Sequence, residues 1–537
     1  MLPRILVAGL ALGALANLDS QAAQTSESER AGTPGKWQQL SAAVHVHSSA
    51  STGAYSLSTL SDMARASGVD VLVLGENLVL DIRYAPWPVR YFGELHRTDS
   101  SLRKRGIVDF LTEIGEVQSR HPETLLLPGV EVLPHYYWTG SPVQRNKTLH
   151  NLQRNMLVVM PPPAEGPQAT DAIDRSAAFL EGLPAIGNQG GEQFGWWSLA
   201  ELLPGILLLG YGFRRLRKPL PAPAVSWRGT VGMAAPGGHR VPMKELLIRV
   251  LFLASGIYML VHNYPYSAPV YNPYESDAGI APYRELIDYT REEGGLVYWS
   301  MPEAADRQEV GVGPINVRLS TEPYPEALEQ TAGYTGFGGL YAGNISLTDA
   351  GGLWDRILHS YCRGERGSPP WIIGESAFHY AGQAGKNLSD ILTVLWVTES
   401  NHEGAFDALA SGRSYAVRRS LDDGLRLEEF TLGAPSLGRV VWPGETLDLS
   451  GEIRGSIEGE VEVEIVIEMF AETGAEVPVQ VEIIRQGEVY LTWEETTPFR
   501  RQIQDVMGPG EDLVYYRLMA HGPKPLQVVS NPIFVRR

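Results

Sequence analysis

Residues 41–77 read SAAVHVHSSASTGAYSLSTLSDMARASGVDVLVLGEN, and this segment decides which fold the chain can form. His45 and His47 are one residue apart in a run that alternates as a β-strand does. Because side chains at positions i and i+2 of a strand point to the same face, the pattern predicts two imidazoles aimed at one metal ion. A helical pattern over 57–67 and an apolar strand over 69–74 follow.

Short apolar strands alternate with helical patterns over most of the chain, which predicts an α/β fold with either a barrel or a doubly wound sheet. Further candidate strands are 125–132, 156–160, 295–299 and 371–373, and a helical pattern covers 282–293. In barrels the site residues sit at the carboxyl ends of strands. The polar residues at predicted strand ends are His45, His47, Glu76, Glu131 and His379.

The pattern changes after about residue 424. Between 461 and 469 apolar residues alternate with glutamates, as in a strand with one buried and one solvated face. Further short strands separated by turn residues follow. We expect residues 425–537 to form an antiparallel β-sandwich.

The N-terminal residues have the composition of a targeting segment. Residues 1–23 contain one arginine, a short apolar run and small residues, which indicates a secretory signal peptide, and 24–36 resemble a linker. The chain has 44 basic and 62 acidic residues and a net charge of −18, which argues against a nucleic-acid partner. The single cysteine, Cys362, excludes an internal disulfide and a zinc–thiolate cluster.

Two apolar stretches, 194–213 and 246–261, flank a loop, 214–244, that holds seven basic residues and no acidic residue. This asymmetry predicts a transmembrane hairpin, 194–261, with a cytoplasmic loop and contact with membrane lipid. Two buried helices of a soluble core are the alternative. The hairpin would divide the barrel into 37–193 and 262–420 and place barrel and β-domain on the periplasmic side of the cytoplasmic membrane.

Four segments together resemble the motifs of one superfamily. The segment from His45 to Asn77 resembles H-x-H-S followed by a small-residue loop, a helix and an apolar strand that ends in T-D-H. The segments LLLPGVEV (125–132), GGLVYWSMPEA (294–304) and IIGESAFH (372–379) resemble the other motifs, in the right order. The chain therefore resembles the PHP (polymerase and histidinol phosphatase) superfamily. The segment 390–417 and the β-domain resemble its secreted, carbaryl-hydrolase-like branch.

The resemblance implies a distorted seven-stranded (β/α)7 barrel that hydrolyses phosphate esters with two or three metal ions. Nine positions hold the metal ligands in that family. Four match, one carries Glu in place of the usual Asp, and four have lost the ligand. The matches are His45, His47, Glu131 and His379, the Glu is Glu76, and the lost ligands are at Asn77, Asn155, Met301 and Ala377.

These losses predict a degenerate site that binds one divalent ion, Zn, Mn or Fe, if it binds any. Asparagine is a weaker ligand than imidazole, a thioether suits hard cations poorly, and alanine offers no donor atom. His379 or Glu76 would orient groups or transfer a proton. Nearby polar residues either substitute for lost ligands or are ordinary hydrogen-bonding groups; these are His135, His150, Glu303 and Glu375.

Two functions remain open at this point. The first is a metal-dependent hydrolase with one ion, acting on a small ester of the phosphate or carbamate type. The second is a non-catalytic binding or assembly protein, anchored at the cell envelope and partnered with an envelope protein.

Overall fold

The structure of the protein is a computed structural model. It describes residues 37–84, 95–141, 144–162, 169–186, 192–194, 202–218, 243–262, 267–274, 276–312, 314–343, 345–450, 461–508 and 510–537. The predicted signal peptide, the linker and most of the basic loop 214–244 therefore lie outside the described residues.

The helices are short to medium in length, and several of them pack against strands of the large sheet. They are α1 Leu57–Ala66, α2 Leu102–Arg105, α3 Ile107–Arg120, α4 Ala169–Gly182, α5 Leu202–Leu216, α6 Met243–His262, α7 Ala281–Glu292, α8 Glu326–Gln330, α9 Leu353–Cys362 and α10 His402–Ser411. Two 3-10 turns lie at Gln383–Gly385 and Pro435–Leu437.

The strands up to residue 420 include all those that carry the predicted site. They are β1 Gln38–Val46, β2 Val71–Leu74, β3 Glu76–Asn77, β4 Asp81–Tyr84, β5 Leu95–Thr98, β6 Leu125–Leu127, β7 Gly129–Val132, β8 Tyr137–Thr139, β9 Thr148–His150, β10 Met156–Val159, β11 Glu192–Phe194, β12 Ser267–Pro269, β13 Leu296–Trp299, β14 Asp306–Val312, β15 Ile315–Thr321, β16 Gly336–Leu340, β17 Trp371–Phe378, β18 Ile391–Val397 and β19 Ser414–Arg418.

The later strands belong to the predicted β-domain. They are β20 Leu425–Ala434, β21 Arg439–Val441, β22 Thr446–Asp448, β23 Val461–Ala471, β24 Pro478–Arg485, β25 Glu488–Thr496, β26 Phe499–Met507, β27 Leu513–His521, β28 Gln527–Ser530 and β29 Ile533–Arg536.

The large sheet is mixed. β1 pairs in parallel with β2 and β17, β2 with β6, β3 with β7, β13 with β16, and β16 with β17, whereas β10 runs antiparallel to β7 and β13. Every residue of β2 and of β13 is buried, as expected for strands covered on both faces. These observations confirm a mixed α/β fold with a large sheet.

Helix α1 shows how the sequence of the opening segment fixes an element. Ser56 caps its first turn, because the hydroxyl accepts a hydrogen bond of 3.2 Å from the backbone N–H of Thr59. The spacing of Leu57, Leu60 and Ala64 puts an apolar stripe on the face that packs against the sheet, and all three are buried. The helix thus carries the chain from the end of β1 to the start of β2.

The C-terminal strands form antiparallel sheets, as predicted. One sheet has the order β21-β20-β23-β26. In the other, β24 pairs with β25 and β27, and β28 pairs with β27 and also with β19 of the main sheet. The C-terminal strands therefore continue the main sheet, a connection that the sequence did not predict. The predicted domain boundaries themselves stay predictions.

The predicted membrane hairpin needs a correction. The described residues form two helices there, α5 and α6, with different bounds from the predicted spans. Helix α5 has 15 residues and is about 22 Å long, against about 30 Å for a bilayer core. Helix α6 carries Lys244, Glu245 and Arg249 in its first two turns. No helix in the described part of the chain is both long enough and apolar enough to cross a membrane.

Candidate metal site

The two histidines of the opening motif lie where β1 ends. The strand is irregular between Val44 and Val46, and His45 has a φ of 68°. Beyond this irregularity the backbone N–H of His47 donates a hydrogen bond of 2.9 Å to the carbonyl of Phe378 on β17. The two imidazoles come together, with ring centroids 4.9 Å apart. The predicted pairing is thus reached through a bulge with a left-handed residue and not through regular strand alternation.

Glu131 on β7 completes a group of three donor side chains. The Nε2 atom of His45 lies 3.6 Å from one carboxylate oxygen of Glu131, and the Nε2 atom of His47 lies 3.9 Å from the other. One donor atom from each of the three residues falls within 4.8 Å of the other two, and all three residues are buried. This group could hold one metal ion.

Glu375 on β17 fixes the ring of His45 from behind. Its Oε1 lies 2.6 Å from His45 Nδ1 and accepts a hydrogen bond of 2.5 Å from the hydroxyl of Ser300, while its Oε2 accepts one of 3.0 Å from the backbone N–H of Met301. A Cβ atom on Gly338 would lie 2.0 Å from this Oε2, so a larger residue there would displace the carboxylate from its present position. The Nδ1 side of His45 is therefore occupied, and its Nε2 is the atom that faces Glu131.

The electrostatics of the group follow from its burial and its two carboxylates. Burial alone would lower the pKa of His45, but Glu131 and Glu375 raise it to about 10. Burial and the neighbouring imidazoles hold the pKa of His47 well below its usual value. Burial would raise the pKa of Glu131, but His45 lowers it. The group thus contains net negative charge that attracts a cation, whether a proton or a metal ion.

His379 and Asn77 lie on the other side of His47. The rings of His379 and His47 stack with centroids 4.0 Å apart. The hydroxyl of Thr52 lies 3.1 Å from His379 Nδ1 and 3.4 Å from His47 Nδ1, and it accepts a hydrogen bond of 2.9 Å from the amide of Asn77. Burial lowers the pKa of His379. Thr52 therefore links three of the predicted site residues.

Asn155 on the loop before β10 contacts the ligand group directly. Its amide nitrogen donates a hydrogen bond of 2.7 Å to the Oε1 atom of Glu131. Its Oδ1 atom is buried and has no hydrogen-bond partner. The residue that stands where the resemblance implies a histidine thus still touches the site through the carboxylate.

A single cavity of about 130 Å³ collects almost all of the predicted positions. Met301 and Ala377, at two positions where the resemblance implies metal ligands, have left-handed φ values of 39° and 43°. Such values are costly for non-glycine residues and cluster at functional sites. Eight of the nine positions line the cavity: His45, His47, Asn77, Glu131, Asn155, Met301, Ala377 and His379.

Glu76 is the exception. Its carboxylate accepts hydrogen bonds from the backbone N–H of Ser48, at 2.7 Å, and from the hydroxyl of Ser51. Successive side chains of a strand point to opposite faces, and on β3 it is Asn77 that lines the cavity. Burial raises the pKa of Glu76 to about 7. The structure therefore places Glu76 outside the cavity, where it braces the loop after His47.

The other possible substitutes have structural partners. His150 lies 2.7 Å from the hydroxyl of Thr139, and the carboxylate of Glu303 accepts hydrogen bonds from Ser346 and Leu347. Neither of these residues lines the cavity, nor does His135. Glu375 alone joins the site. Sequence reasoning missed Ser300 and Thr52, because hydroxyl residues that support ligands carry no spacing signal.

The residues present fit a divalent cation. The Nε2 atom of His45 is buried and has no hydrogen-bond partner, although it lies in a group that also offers a second imidazole and a carboxylate. Two imidazoles and one carboxylate make a donor set that zinc sites use, and Mn and Fe accept the same atoms. The cation would meet His45, His47 and Glu131, with Glu375 behind the first of them.

Comparisons with known proteins give similarity to solved structures only. No family profile matches the sequence, and no curated protein matches it. A two-domain protein from Bacteroides vulgatus that contains a predicted PHP-like metal-dependent phosphoesterase is 11% identical, with 90% of each chain covered and a TM-score of 0.33. An amidohydrolase from Chromobacterium violaceum, solved with sulfate and no metal, is 16% identical, with 64% of this chain and 88% of that chain covered and a TM-score of 0.25. Likeness at this level carries no argument about the chemistry of this chain, which rests on the group His45, His47 and Glu131.

Proposed function

We propose that the chain is a hydrolase that binds one divalent cation between His45, His47 and Glu131 and cleaves a small ester of the phosphate type. One observation carries the proposal: one donor atom from each of three buried residues lies within 4.8 Å of the other two, and one of these atoms, the Nε2 atom of His45, makes no hydrogen bond. A buried polar atom without a partner is costly, which favours a ligand at this point.

The pairing order supports the barrel that the resemblance implies. β1 pairs with β2, and β2 pairs with β6. β3 and β7, which follow β2 and β6 closely in the chain, pair with each other. From β7 the pairs lead through β10, β13 and β16 to β17, which pairs again with β1. We interpret this ring as the distorted (β/α)7 barrel. In such a barrel the cavity would occupy the end where His45 leaves β1 and where Ala377 and His379 lie at and beyond the end of β17.

A single ion suits the site better than two or three. The described cavity offers one carboxylate, Glu131, toward its interior, and the other positions carry Asn77, Asn155, Met301 and Ala377. One carboxylate does not offset the repulsion between two divalent cations held close together. Zn is our first choice because the donor set is nitrogen-rich, with Mn and Fe next.

We assign His379 the task of moving a proton. Its lowered pKa makes it a neutral imidazole at pH 7, and Thr52 contacts its Nδ1, which leaves the other nitrogen for a water molecule or a leaving group. A divalent cation, when bound, supplies Lewis-acid activation of water and of the ester oxygen.

We also propose an extracytoplasmic location for the protein. Only the composition of residues 1–23 supports this part of the proposal.

Metal content is the first test. Purified wild-type chain, dialysed against Zn²⁺ or Mn²⁺ and then against buffer, should retain about one ion per chain in elemental mass spectrometry. The His45→Ala/His47→Ala variant should retain none. His121→Ala is the matched control, because it removes an imidazole that contacts Ser58 outside the cavity. Equal metal content in wild type and the double variant would refute the site.

Turnover is the second test and separates the two functions. The loaded chain should hydrolyse bis(p-nitrophenyl) phosphate, and a chelator should abolish the reaction. His379→Gln should retain the ion but lose about 10²–10⁴ in rate. A chain that binds one ion, yet hydrolyses neither this ester nor p-nitrophenyl acetate, would favour the alternative, a non-catalytic binding or assembly protein of the envelope.

A further inference from the structure

The helix pair α5 and α6 packs through its small residues. Gly205 lies beside Gly256 and Leu260, and Gly212 lies beside Leu253, so the two helices run antiparallel and approach closely. Leucines such as Leu253 and Leu260 fill part of the seam against these glycines, and many other large apolar side chains of both helices point away from it.

Those large side chains are exposed. Of the 21 exposed large hydrophobic side chains among the described residues, six lie on α5 and eight on α6. The exposed fraction reaches 70% at Leu207, 64% at Leu251 and 69% at Val261. Such a concentration of exposed apolar side chains on two paired helices indicates an interaction site, because isolated exposed hydrophobes are normal but clusters are not. We refer to the exposed apolar side chains of α5 and α6 as the hairpin face.

Charge at one end of the hairpin face indicates what covers it. Helix α5 ends with Arg214 and Arg215, and Arg217 and Lys218 follow it; Lys244 stands at the start of α6, at the same end of the antiparallel pair. Residues 214–244 hold seven basic residues and no acidic residue in a chain with a net charge of −18. Glu245 neutralises only one of these charges, through an ion pair of 2.9 Å with Arg215.

We propose that the hairpin face docks on an anionic lipid surface, with its apolar side chains in the boundary between headgroups and acyl chains and its basic end among the headgroups. Burial of apolar area and attraction between basic side chains and anionic headgroups are the two contributions to the binding free energy of an interfacial helix. The proposal requires insertion of one face and not a membrane span. It is independent of the proposed hydrolase.

Vesicle flotation with the full chain tests this docking. We expect the wild type to float with vesicles of phosphatidylcholine and phosphatidylglycerol at 70:30, and less with phosphatidylcholine alone or at 1 M NaCl. Leu207→Asp/Leu251→Asp should abolish flotation. Val440→Asp/Val506→Asp is the matched control, because these residues are also exposed, at 55% and 43%, but lie on strands of the β-domain.

The charge at the basic end is tested separately. Arg214→Ala/Arg217→Ala should weaken binding to the anionic vesicles about five-fold for each residue removed and leave binding to neutral vesicles unchanged. Every variant keeps residues 1–36, so the N-terminal apolar run contributes equally to all of them. Circular dichroism confirms that each variant is folded.

Two results would overturn the proposal. In the first, wild type and Leu207→Asp/Leu251→Asp float equally. In the second, no vesicle binds the chain, and light scattering shows a dimer that the same double variant disrupts, which would make a second copy of the chain the occupant of the hairpin face. Because neither readout depends on metal or turnover, failure here leaves the hydrolase proposal untouched.

Discussion

Glu375 determines how His45 presents its free nitrogen. A carboxylate that accepts from one imidazole nitrogen fixes both the tautomer and the ring direction of a metal-ligating histidine. Glu375 is itself held by Ser300 and by the backbone of Met301, so its position does not depend on a bound cation. His45 is therefore preorganised toward Glu131.

Replacement of Glu375 by Gln should lower metal affinity by about 10–100-fold, which is typical when a carboxylate behind a ligating histidine is lost. Glutamine keeps the size of the side chain but carries no charge. Its amide therefore no longer offers a carboxylate to the Nδ1 atom of His45. Competition titration of Zn²⁺ against a chromogenic chelator measures the change. Glu399→Gln, on an exposed turn, should leave affinity unchanged. Equal affinities for both variants would show that Glu375 plays no part in the site.

Most of the residues that the sequence predicts for the site line one cavity. The resemblance also points to positions with no donor suited to a hard cation, Met301 and Ala377, and both line the same cavity, because motif spacing does not depend on the side chain at one position. It failed at Glu76, since a motif cannot show which of two neighbouring strand residues faces inward. Glu375 was considered only as a possible substitute, because its contact with His45 joins residues 330 apart in sequence.

At the scale of elements, β7 fits between its neighbours only because it begins with glycine. A Cβ atom on Gly129 would lie 2.3 Å from the carbonyl oxygen of Leu74 and 2.9 Å from that of Val158. β7 pairs with β3, which begins two residues after Leu74, and with β10, which contains Val158, and both contacts are to backbone carbonyl oxygens. Glu131 lies two residues further along the same strand, and its position depends on this close approach.

We expect Gly129→Ala to destabilise the protein by about 1–3 kcal/mol, as overpacking does in a well-packed interior. Gly115→Ala is the matched control, because Gly115 is an exposed position in helix α3 with no neighbour within 4 Å of the added carbon. That substitution should stabilise by about 0.4–1 kcal/mol. Urea unfolding measures both changes through the midpoint. Equal midpoints for the two variants would contradict the close approach at β7.

Periodicity predicted the elements better than it predicted their surroundings. The strands β2, β10 and β13 and helix α1 fall within one or two residues of their predicted bounds, because each has an uninterrupted apolar run or a clear apolar stripe. The helices α5 and α6 were also anticipated. Their interpretation as membrane spans was not supported, since composition over a window does not show where a helix begins or which charges it includes.

At the scale of the whole molecule, a buried ion pair joins the C-terminal strands to the main fold. Arg517 on β27 is fully buried and donates to both carboxylate oxygens of Asp355 on α9, at 2.8 and 2.7 Å. Tyr515 donates a hydrogen bond of 2.9 Å to the same carboxylate. The side chain of Asn531 bonds to the backbone of Ile372 and to Ser414. No sequence pattern predicts such contacts, because they join residues more than 100 apart.

We therefore expect the C-terminal strands and the main fold to unfold together. Arg517→Ala should lower the free energy of unfolding by about 3–5 kcal/mol, because the substitution leaves the buried Asp355 carboxylate without its cation. Arg500→Ala breaks ion pairs with the exposed Glu468, at 2.7 Å, and with the half-buried Glu429, and because Arg500 itself is exposed the change should cost only about 1 kcal/mol. The double variant Arg517→Met/Asp355→Leu should recover much of the loss, because it buries no charge. Differential scanning calorimetry measures this. We expect one shared transition in the wild type, and a much lower midpoint temperature for that transition in Arg517→Ala. Two separate transitions in the wild type, with only the C-terminal one shifted, would mean that β27 and β28 rest on the main sheet without stabilising it.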